Sequence, residues 1–343
     1  MGIWNPLNDE ALSAQIESQK KHAWCLEQDI PWEKGVDLNR FLLPLDQDAI
    51  AFPGANAEQR LALSQLMGLI INATIGEMEK VIHKLREVAF ENILREYPVN
   101  PEMWELGDLF FKEEAKHSAA FARYVDVFAD TMGIDRDQLD RLLPKAFGSL
   151  FLKKIMENAR SGGFAFWWVV ASVEEVSIEI YRPLQQYRDE IDPLYHMIHL
   201  RHLEEEARHR NYAFLMLDLL TRQPPSLKLW MRKKTDLILA QGLSAAWVLS
   251  ELSKVHEAKA LRHEHPFFAT IHSALPLMKK VSFPDLFRRL FVSAPFISLV
   301  LNQRYHRHTR KTAQDFGILS FPYPEPRMSE VMLETNKRRS DAA

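Results

Sequence analysis

Residues 199–209 read His-Leu-Arg-His-Leu-Glu-Glu-Glu-Ala-Arg-His, and the fold and the chemistry of this chain are best approached from them. On a helix with about 100° per residue, His202, Glu206 and His209 fall within about 60° of one another, whereas Glu205 projects about 100° away. Two imidazoles and a carboxylate on one helix face suit a borderline divalent metal such as iron, manganese or zinc. Taken alone, such a face is more often a solvated surface with salt bridges.

The composition excludes several classes of protein. The chain has 343 residues, of which 47% are hydrophobic and 26% charged, and this is ordinary for a globular protein. A net charge of −3 gives no electrostatic case for binding nucleic acid or an acidic membrane. Cys25 is the single cysteine, so a metal site must use nitrogen and oxygen ligands. The N-terminus has no signal-peptide pattern, and no uncharged apolar run is long enough for a bilayer. We therefore expect a cytoplasmic protein with no membrane and no nucleic-acid partner.

The fold class is predicted to be all-α. Only 12 glycines occur, and the long segments lack the alternation of period two that marks strands. Prolines and capping residues divide the chain into four long helices, with further helices on either side. The long helices are predicted at 57–95, 100–132, 164–187 and 192–221, and the others at 9–28, 135–143, 226–259, 265–278 and 284–303. We expect an irregular lead-in with one helix at 1–55, a single helical domain at 56–310 with its core at 57–222 and extra helices at 226–303, and an extended tail at 311–343.

Two of the long helices carry a Glu-x-x-His motif. The second contains Glu114 and His117, and the fourth contains Glu206 and His209. A spacing of three residues puts the carboxylate and the imidazole on one face, one turn apart. Glu113, next to the first motif, is rotated by about 100° and is expected to be exposed. Two such motifs, with one inward glutamate from each of two other helices, form the ligand pattern of a dinuclear carboxylate site in a four-helix bundle.

The single glutamates should then lie on the first and third helices. On the third helix, Glu175 shares its face with apolar residues, and Glu174 lies about 100° off that face. On the first helix the choice is between Glu77 and Glu79, which project to nearly opposite sides. Glu77 has Lys80 beside it and is expected to be solvated, so we choose Glu79 and keep Glu77 as the alternative.

This order of motifs resembles the ferritin-like di-iron carboxylate proteins, and most closely the p-aminobenzoate N-oxygenase family. The fourth helix of that family reads His-x-x-x-Glu-x-x-His, as residues 202–209 do here. The spacings from Glu79 to Glu114 and from Glu175 to Glu206 are also similar to those of the family. The resemblance spans roughly residues 60–220 and implies a ferritin-like four-helix bundle with additional peripheral helices. The iron ligands that it implies are Glu79, Glu114, His117, Glu175, His202, Glu206 and His209.

By this resemblance the protein is an O2-dependent non-haem di-iron oxygenase. Dioxygen would bind between the irons as a peroxo species and oxidise an amine to a hydroxylamine, nitroso or nitro compound. The implied cofactors are two iron ions, with manganese as the alternative metal, O2 as co-substrate and an external electron donor. The implied partners are a small-molecule substrate and a reductant or electron-transfer protein. Helices after residue 225 carry enough apolar surface for a homodimer interface.

The substrate pocket is expected to be lined by aromatic and aliphatic residues near the ligands. Arg182 could bind a substrate carboxylate, although an ion pair with Glu179 is the preferred interpretation. His199 shares the ligand face one turn before His202 and would either support the ligands or simply extend the polar face. Gly68 and Gly76 are expected to make room. The predicted pocket residues are Phe110, Phe121, Trp168, Ile178 and Arg182.

Three alternatives stay open at this stage. The first keeps the metal pair but hydroxylates or desaturates a carbon substrate. The second is a ferroxidase that acts on no organic substrate. The third is a non-catalytic helical scaffold in which the glutamates and histidines form buried ion pairs.

Overall fold

A computed structural model describes residues 9–43, 54–97, 99–145, 163–221, 226–239, 254–278 and 309, with the backbone alone at 176, 178–180, 182, 183 and 255. Within these ranges the chain is helical and has no strand; one isolated parallel bridge joins Phe41 to Ile191. The all-α prediction is therefore confirmed. The predicted helix at 284–303 and the predicted tail at 311–343 lie outside the described residues.

The helices are numbered here in chain order, and four of them are long. Short 3-10 turns occupy Trp32–Lys34 and Lys254–Glu257. The α-helices are α1 (Asp9–Lys21), α2 (Ala57–Lys84), α3 (Asn92–Glu96), α4 (Pro101–Met132), α5 (Arg136–Asp140), α6 (Phe164–Gln186), α7 (Pro193–Thr221), α8 (residues 227–239), α9 (Ala258–Leu261) and α10 (Pro266–Met278).

The first predicted long helix is interrupted. Instead of running through 57–95, α2 ends at Lys84, and a π-helical turn at Glu87–Glu91 leads into α3. The carbonyl of Ala89, inside that turn, accepts a hydrogen bond of 2.7 Å from Nε1 of Trp167 on α6. This contact joins residues far apart in the sequence, so the hydrophobic periodicity of residues 57–95 could not predict it. The predicted bounds of α4, α6 and α7 agree with the structure within a residue or two.

Local sequence explains where the long helices begin and end. The Asn56 side chain accepts from the backbone N–H of Gln59, and the Gln59 side chain accepts from that of Asn56, so α2 starts with a capping box. Pro101 occupies the first turn of α4, and Gly133 ends it with a φ of 73°. At the start of α7, Oδ1 of Asp192 accepts the Tyr195 N–H at 2.7 Å.

Helices α2 and α4 run antiparallel to each other, and α7 runs parallel to α2. Gly76 of α2 lies against Phe121 of α4. Arg86, which comes later in the chain than Gly76, pairs with Asp108, which comes earlier in α4 than Phe121. Tyr195 donates to the carbonyl of Gly68 near the start of both α7 and α2. Two later contacts between the same helices, His199 with Asn72 and His202 with Glu79, keep this parallel order.

Helices α6 and α7 run antiparallel to each other. The Trp167 ring at the start of α6 contacts Tyr212, in the second half of α7, whereas Tyr181 near the end of α6 contacts His196 at the start of α7. Since α7 is parallel to α2 and antiparallel to α4, the consecutive long helices α4 and α6 point in the same direction. The order of directions is up, down, down, up.

Two apolar clusters fill the interior, one towards each end of the four long helices. One cluster contains Phe121, Tyr124 and Tyr195. The other contains Phe110 and Trp167. The charged motifs of α4 and α7 lie between these clusters, so any polar group there is shielded from water on both sides.

The described part of the N-terminal lead-in packs onto the long helices. Backbone N–H groups of Leu42 and Leu43 both donate to Oγ of Ser64 on α2 at 3.1 Å. A Cβ placed on Gly68 would lie 2.3 Å from Cβ of Leu42. The space at Gly68 is therefore taken by the lead-in and not by a substrate pocket. At Gly76 a Cβ would lie 3.2 Å from Cβ of Phe121, so this glycine likewise permits close packing of α2 on α4.

One helix of the described residues, Ala57–Lys84, is long and apolar enough to cross a membrane by length and composition alone. Of its most apolar stretch, 67% is buried inside the protein. Core helices of globular proteins meet the same criterion, so this is weak evidence for a membrane span.

Candidate metal centre

Buried carboxylates and imidazoles of α2, α4 and α7 converge at the middle of the four long helices. They form two overlapping groups, and the ligand atoms of each group lie within 4.8 Å of one another. Every member is buried, and Glu206 and His117 belong to both groups. The first group is Glu79, His117, His202 and Glu206, and the second is Glu114, His117, Glu206 and His209. Six of the seven predicted ligands are thus brought together, and each group could hold a metal ion.

His202 on α7 connects this helix to α2. Its Nε2 lies 2.9 Å from Oε1 of Glu79 and 3.0 Å from Oε1 of Glu206. This contact places Glu79, and not Glu77, on the inner face of α2. Glu77 forms an ion pair with Lys80 at 2.9 Å on the outer side of the helix, as expected for a solvated residue.

The other two histidines turn Nδ1 towards the cluster. Nδ1 of His209 lies 2.8 Å from Oε1 of Glu114 and 3.3 Å from Oε1 of Glu206. Nδ1 of His117 lies 3.5 Å from the same Glu206 oxygen and 3.7 Å from Oε1 of Glu79. Oε1 of Glu206 is therefore the common point of the cluster, because all three imidazoles approach it.

On the third long helix neither Glu174 nor Glu175 belongs to the two ligand groups, so the predicted ligand Glu175 is not brought together with the other six. Glu174, which the sequence placed off the inner face, is buried, and the neighbouring carboxylates Glu206 and Glu114 add to the effect of burial in raising its pKa. Glu175 is also buried but turns to Thr309, whose hydroxyl donates to its Oε2 at 2.7 Å. Both faces of α6 are covered at this point, so apolar neighbours along the chain do not distinguish the two carboxylates.

Atoms of the cluster lack hydrogen bonds although they are buried. An unpaired buried polar atom typically costs about 1–3 kcal/mol, and a bound cation removes that cost by coordination. Imidazole nitrogen and carboxylate oxygen are also the donors that borderline divalent metals accept. The residues present therefore fit a metal site. The atoms without a hydrogen bond include Oε2 of Glu79, both carboxylate oxygens of Glu114, Oε2 of Glu174, Oε1 of Glu206, and Nδ1 of His117 and of His209.

Burial and mutual repulsion govern the carboxylates. Burial raises the pKa of Glu79 and of Glu174 well above its ordinary value, and it also raises the pKa of Glu114. Glu206 is buried too, yet the charge of His202 and the close approach of Glu174, His202 and His209 hold its pKa well below the ordinary range. In the metal-free protein Glu206 is thus the ionised centre around which protons are shared.

The imidazoles respond in opposite ways. Burial alone would lower the pKa of His202, but Glu206 and Glu79 raise it from 6.5 to about 10. The hydrogen bond to Glu113 and the close carboxylate of Glu114 raise the pKa of His209 well above its ordinary value, also against burial. Burial together with the neighbouring histidines keeps the pKa of His117 well below the ordinary range. Protons on His202 and His209 thus occupy positions that cations would take.

Two glutamates outside the cluster hold the far side of its histidines. Glu205 is fully buried, and its Oε2 accepts from Nε2 of His117 at 2.7 Å. Glu113 is buried as well, and its Oε2 accepts from Nε2 of His209 at 2.9 Å. The expectation that Glu113 is exposed is therefore wrong, because α1 and α7 cover that face of α4. The sequence signal that could have identified Glu113 and Glu205 is the additional glutamate that precedes each Glu-x-x-His motif.

The predicted pocket residues have different surroundings. Phe110 packs edge-on against the His209 ring, with centroids 4.9 Å apart. Phe121 packs in the same way against the His202 ring at 5.0 Å. Trp168 is partly buried and donates from Nε1 to the carbonyl of Thr309 at 2.9 Å, so it faces the Glu175 side of α6. The side chains of Ile178, Glu179 and Arg182 lie outside the described part of the structure, and the predictions for them stay predictions.

His199 lies one turn from the cluster and does not join it. Its Nε2 contacts Oδ1 of Asn72 at 2.9 Å, and its ring packs on Tyr195 and Phe121. Burial keeps the pKa of His199 well below its ordinary value, so it is a neutral imidazole. The Asn72 contact repeats the parallel pairing of α2 and α7 seen at Glu79 and His202.

Comparison of the chain with known proteins finds no matching family model, no matching curated protein and no matching solved structure. The resemblance described above therefore rests on the order and spacing of the ligand motifs. Any function has to be argued from the site itself.

Proposed function

We propose that the protein is an O2-dependent non-haem di-iron oxygenase that N-oxygenates an amine. The observation that carries the proposal is the pair of overlapping, buried ligand groups drawn from separate helices. When ionised, Glu79, Glu114, Glu174 and Glu206 carry as much negative charge as two divalent cations carry positive charge. Neutral imidazoles complete the set without adding charge. A pair of divalent cations would thus neutralise these four carboxylates.

A ferritin-like bundle is the architecture that we propose for the four long helices. Consecutive helices α4 and α6 point in the same direction, and bundles of this class contain one long crossover connection. Each of α4 and α7 supplies a Glu-x-x-His pair, and α2 supplies Glu79. We propose that Glu174 on α6, whose pKa is raised partly by Glu206 and Glu114, supplies the fourth carboxylate. This distribution is the one that di-iron carboxylate bundles use.

Iron is the metal that we propose, with manganese as the alternative. Carboxylate-rich sites with imidazole suit both metals, whereas sites that favour softer metals use thiolates. Cys25 is exposed and lies outside both ligand groups. His202 adds a third imidazole to the set, which is the feature that favours the N-oxygenase family over relatives with fewer histidines.

Two bound iron ions would supply the reductive activation of dioxygen. The overall reaction that we propose converts an amine, O2, two protons and two electrons into a hydroxylamine and water, and the electrons come from an external reductant. The protein contributes a dry and rigid setting. Phe110 and Phe121 pack on the rings of His209 and His202, and all three imidazoles approach Oε1 of Glu206 within 3.5 Å.

Metal content tests the metal site. Full-length protein loaded with Fe²⁺ without oxygen should contain close to two iron ions per chain. Substitution Glu79→Gln should lower that content, whereas Glu77→Gln, on the opposite side of the same helix, should leave it unchanged. Wild-type protein that retains no tightly bound iron or manganese would overturn the proposal and leave the scaffold interpretation.

Product analysis tests the reaction. The iron-loaded protein is given a reductant, ¹⁸O2 and a panel of aromatic and aliphatic amines, with carbon substrates such as acyl chains as the comparison. We expect ¹⁸O in hydroxylamine, nitroso or nitro products. Label only in carbon-bound hydroxyl groups, or O2 consumption with iron oxidation and no organic product, would contradict the N-oxygenase assignment.

A further inference from the structure

The two Glu-Glu-x-x-His motifs are connected crosswise. In each motif the second glutamate, Glu114 or Glu206, belongs to the ligand groups. The first glutamate reaches the histidine of the other motif. Glu205 on α7 bonds His117 on α4, and Glu113 on α4 bonds His209 on α7. Neither first glutamate touches the histidine of its own motif through a hydrogen bond that the structure shows.

Each of these contacts fixes which ring nitrogen faces the cluster. A carboxylate oxygen accepts hydrogen bonds, so these contacts favour the tautomers of His117 and His209 that carry the proton on Nε2. Nδ1 of each ring is then the atom that offers a lone pair to a cation. Both Nδ1 atoms point at Oε1 of Glu206, at 3.5 Å for His117 and 3.3 Å for His209.

Other side chains hold the outer carboxylates themselves. Nζ of Lys116 donates to Oε1 of Glu205 at 2.7 Å, lies 4.1 Å from the centre of the Trp24 ring and donates to the Trp24 carbonyl. The Trp24 ring in turn stacks on His117 with an angle of 11° between the planes. On the other side, Nε2 of Gln19 in α1 donates to Oε2 of Glu113 at 2.6 Å. The N-terminal segment thus braces both carboxylates from outside.

We propose that Glu113 and Glu205 are positioning residues of the metal centre, each of which orients and polarises the ligand histidine of the opposite helix. The inference rests on the proposed metal site, and the metal affinity of the wild-type protein shows separately whether that site exists. Outer partners of ligand histidines set ring orientation and ligand basicity, and their loss typically lowers metal affinity about 10- to 100-fold. The crossed connection also ties α4 to α7, because neither motif can bind a cation correctly without the other.

The first experiment measures Zn²⁺ and Mn²⁺ affinity by competition with a chelator, using full-length protein. Glu113→Gln and Glu205→Gln should each weaken binding about 10- to 100-fold. Glu204→Gln is the matched control, since Glu204 is exposed and its carboxylate pairs with Arg201 on the surface of the same helix. Affinity equal to wild type in both outer variants would overturn the proposal. Wild-type protein that binds neither metal would instead remove the metal site itself.

The second experiment separates positioning from an ordinary buried ion pair. Lys116→Met removes the cation of the Lys116–Glu205 pair but leaves the carboxylate on His117. We expect Lys116→Met to lower stability while it preserves metal affinity, and Glu205→Gln to lower affinity. Equal losses of affinity in the two variants would show that Glu205 acts only through its pairing with Lys116.

The third experiment tests the crossing directly. In Zn²⁺-loaded protein labelled with ¹⁵N-histidine, the Nε2–H signals of His117 and His209 report their hydrogen bonds. Glu205→Gln should shift the His117 signal and leave that of His209, and Glu113→Gln should do the reverse. In double variants, Glu205→Gln should add little to the affinity loss of His117→Ala but its full loss to that of His209→Ala. Shifts confined to the histidine of the same motif would contradict the proposal.

Discussion

At the scale of single residues, Glu174 and Glu175 are adjacent in sequence and have different partners. Glu174 lies near Glu206, whose charge helps to raise the pKa of Glu174, whereas Glu175 accepts from the hydroxyl and the backbone N–H of Thr309. Both side chains are buried, so burial does not distinguish them. Their neighbours do: Glu174 is the candidate ligand, and Glu175 contacts Thr309, a residue far away in the sequence.

We predict that Glu174→Gln lowers metal content and that Glu175→Gln does not. Glu174→Gln removes a negative charge from the site, so bound cations are less well neutralised. Glu175→Gln keeps the ligand groups and weakens the contacts to Thr309, with a cost of about 0.5–1.5 kcal/mol in the free energy of unfolding. Metal analysis and urea unfolding of the two variants provide the test. The opposite ranking of metal contents would return the ligand role to Glu175.

His202 should make the stability of the metal-free protein depend on pH. Its pKa is raised from 6.5 to about 10 by Glu206 and Glu79 against the effect of burial, so the folded state binds the proton more tightly than the unfolded state. This contribution is complete below about pH 6.5 and is lost as the pH rises through about 10. Urea unfolding of chelator-treated wild type and His202→Gln should show a stability difference that shrinks over this range. A constant difference would contradict the prediction.

At the scale of helices, a close approach fixes how α4 packs against its neighbours. A Cβ added to Gly107 would lie 2.2 Å from ring atoms of Phe90 and 2.5 Å from the hydroxyl of Tyr212. Phe90 belongs to the π-helical turn after α2, and Tyr212 to α7, so three elements meet at one glycine. The register of α4 determines in turn where Glu114 and His117 lie.

Gly107→Ala should therefore destabilise the fold. Alanine gains about 1 kcal/mol in helix propensity, but overpacking of a filled core costs about 1–3 kcal/mol and both Phe90 and Tyr212 are fully buried. Urea unfolding should show a net loss of stability. Phe90→Leu removes the clashing ring atoms, so the double variant should be less destabilised than the sum of the single variants. A stabilised Gly107→Ala would contradict the observed packing.

At the scale of the whole molecule, the metal centre connects α2, α4 and α7. Without a cation, its carboxylates repel one another and several of its buried atoms have no hydrogen bond. Metal binding should therefore stabilise the folded state as a unit. Free Mn²⁺ at about 100 times its Kd should raise the free energy of unfolding by about 2.7 kcal/mol. Glu206→Gln, which alters the residue common to both ligand groups, is the control. Equal stabilisation of this variant and the wild type would place the bound metal elsewhere.

The sequence by itself determined the features that depend on local chemistry. Asn56 with Gln59, Pro101 and Gly133 mark helix ends through their own backbone and side-chain preferences, and the bounds of α4 could be predicted from them. The spacing of three residues between Glu114 and His117 likewise guarantees a common face on any helix. For this reason the all-α class and six members of the buried cluster were predictable.

Only the tertiary structure decided which neighbouring glutamate faces the cluster and what lies behind the histidines. The rotation of a helix about its axis is set by the helices packed on it, and α6 and α7 are covered on several sides, so apolar residues mark no single inner face. The position of Glu175 beside Thr309, and the crossed contacts of Glu113 and Glu205, follow from that packing. Contacts between residues far apart in the chain have no local signature, and for that reason the sequence did not reveal them.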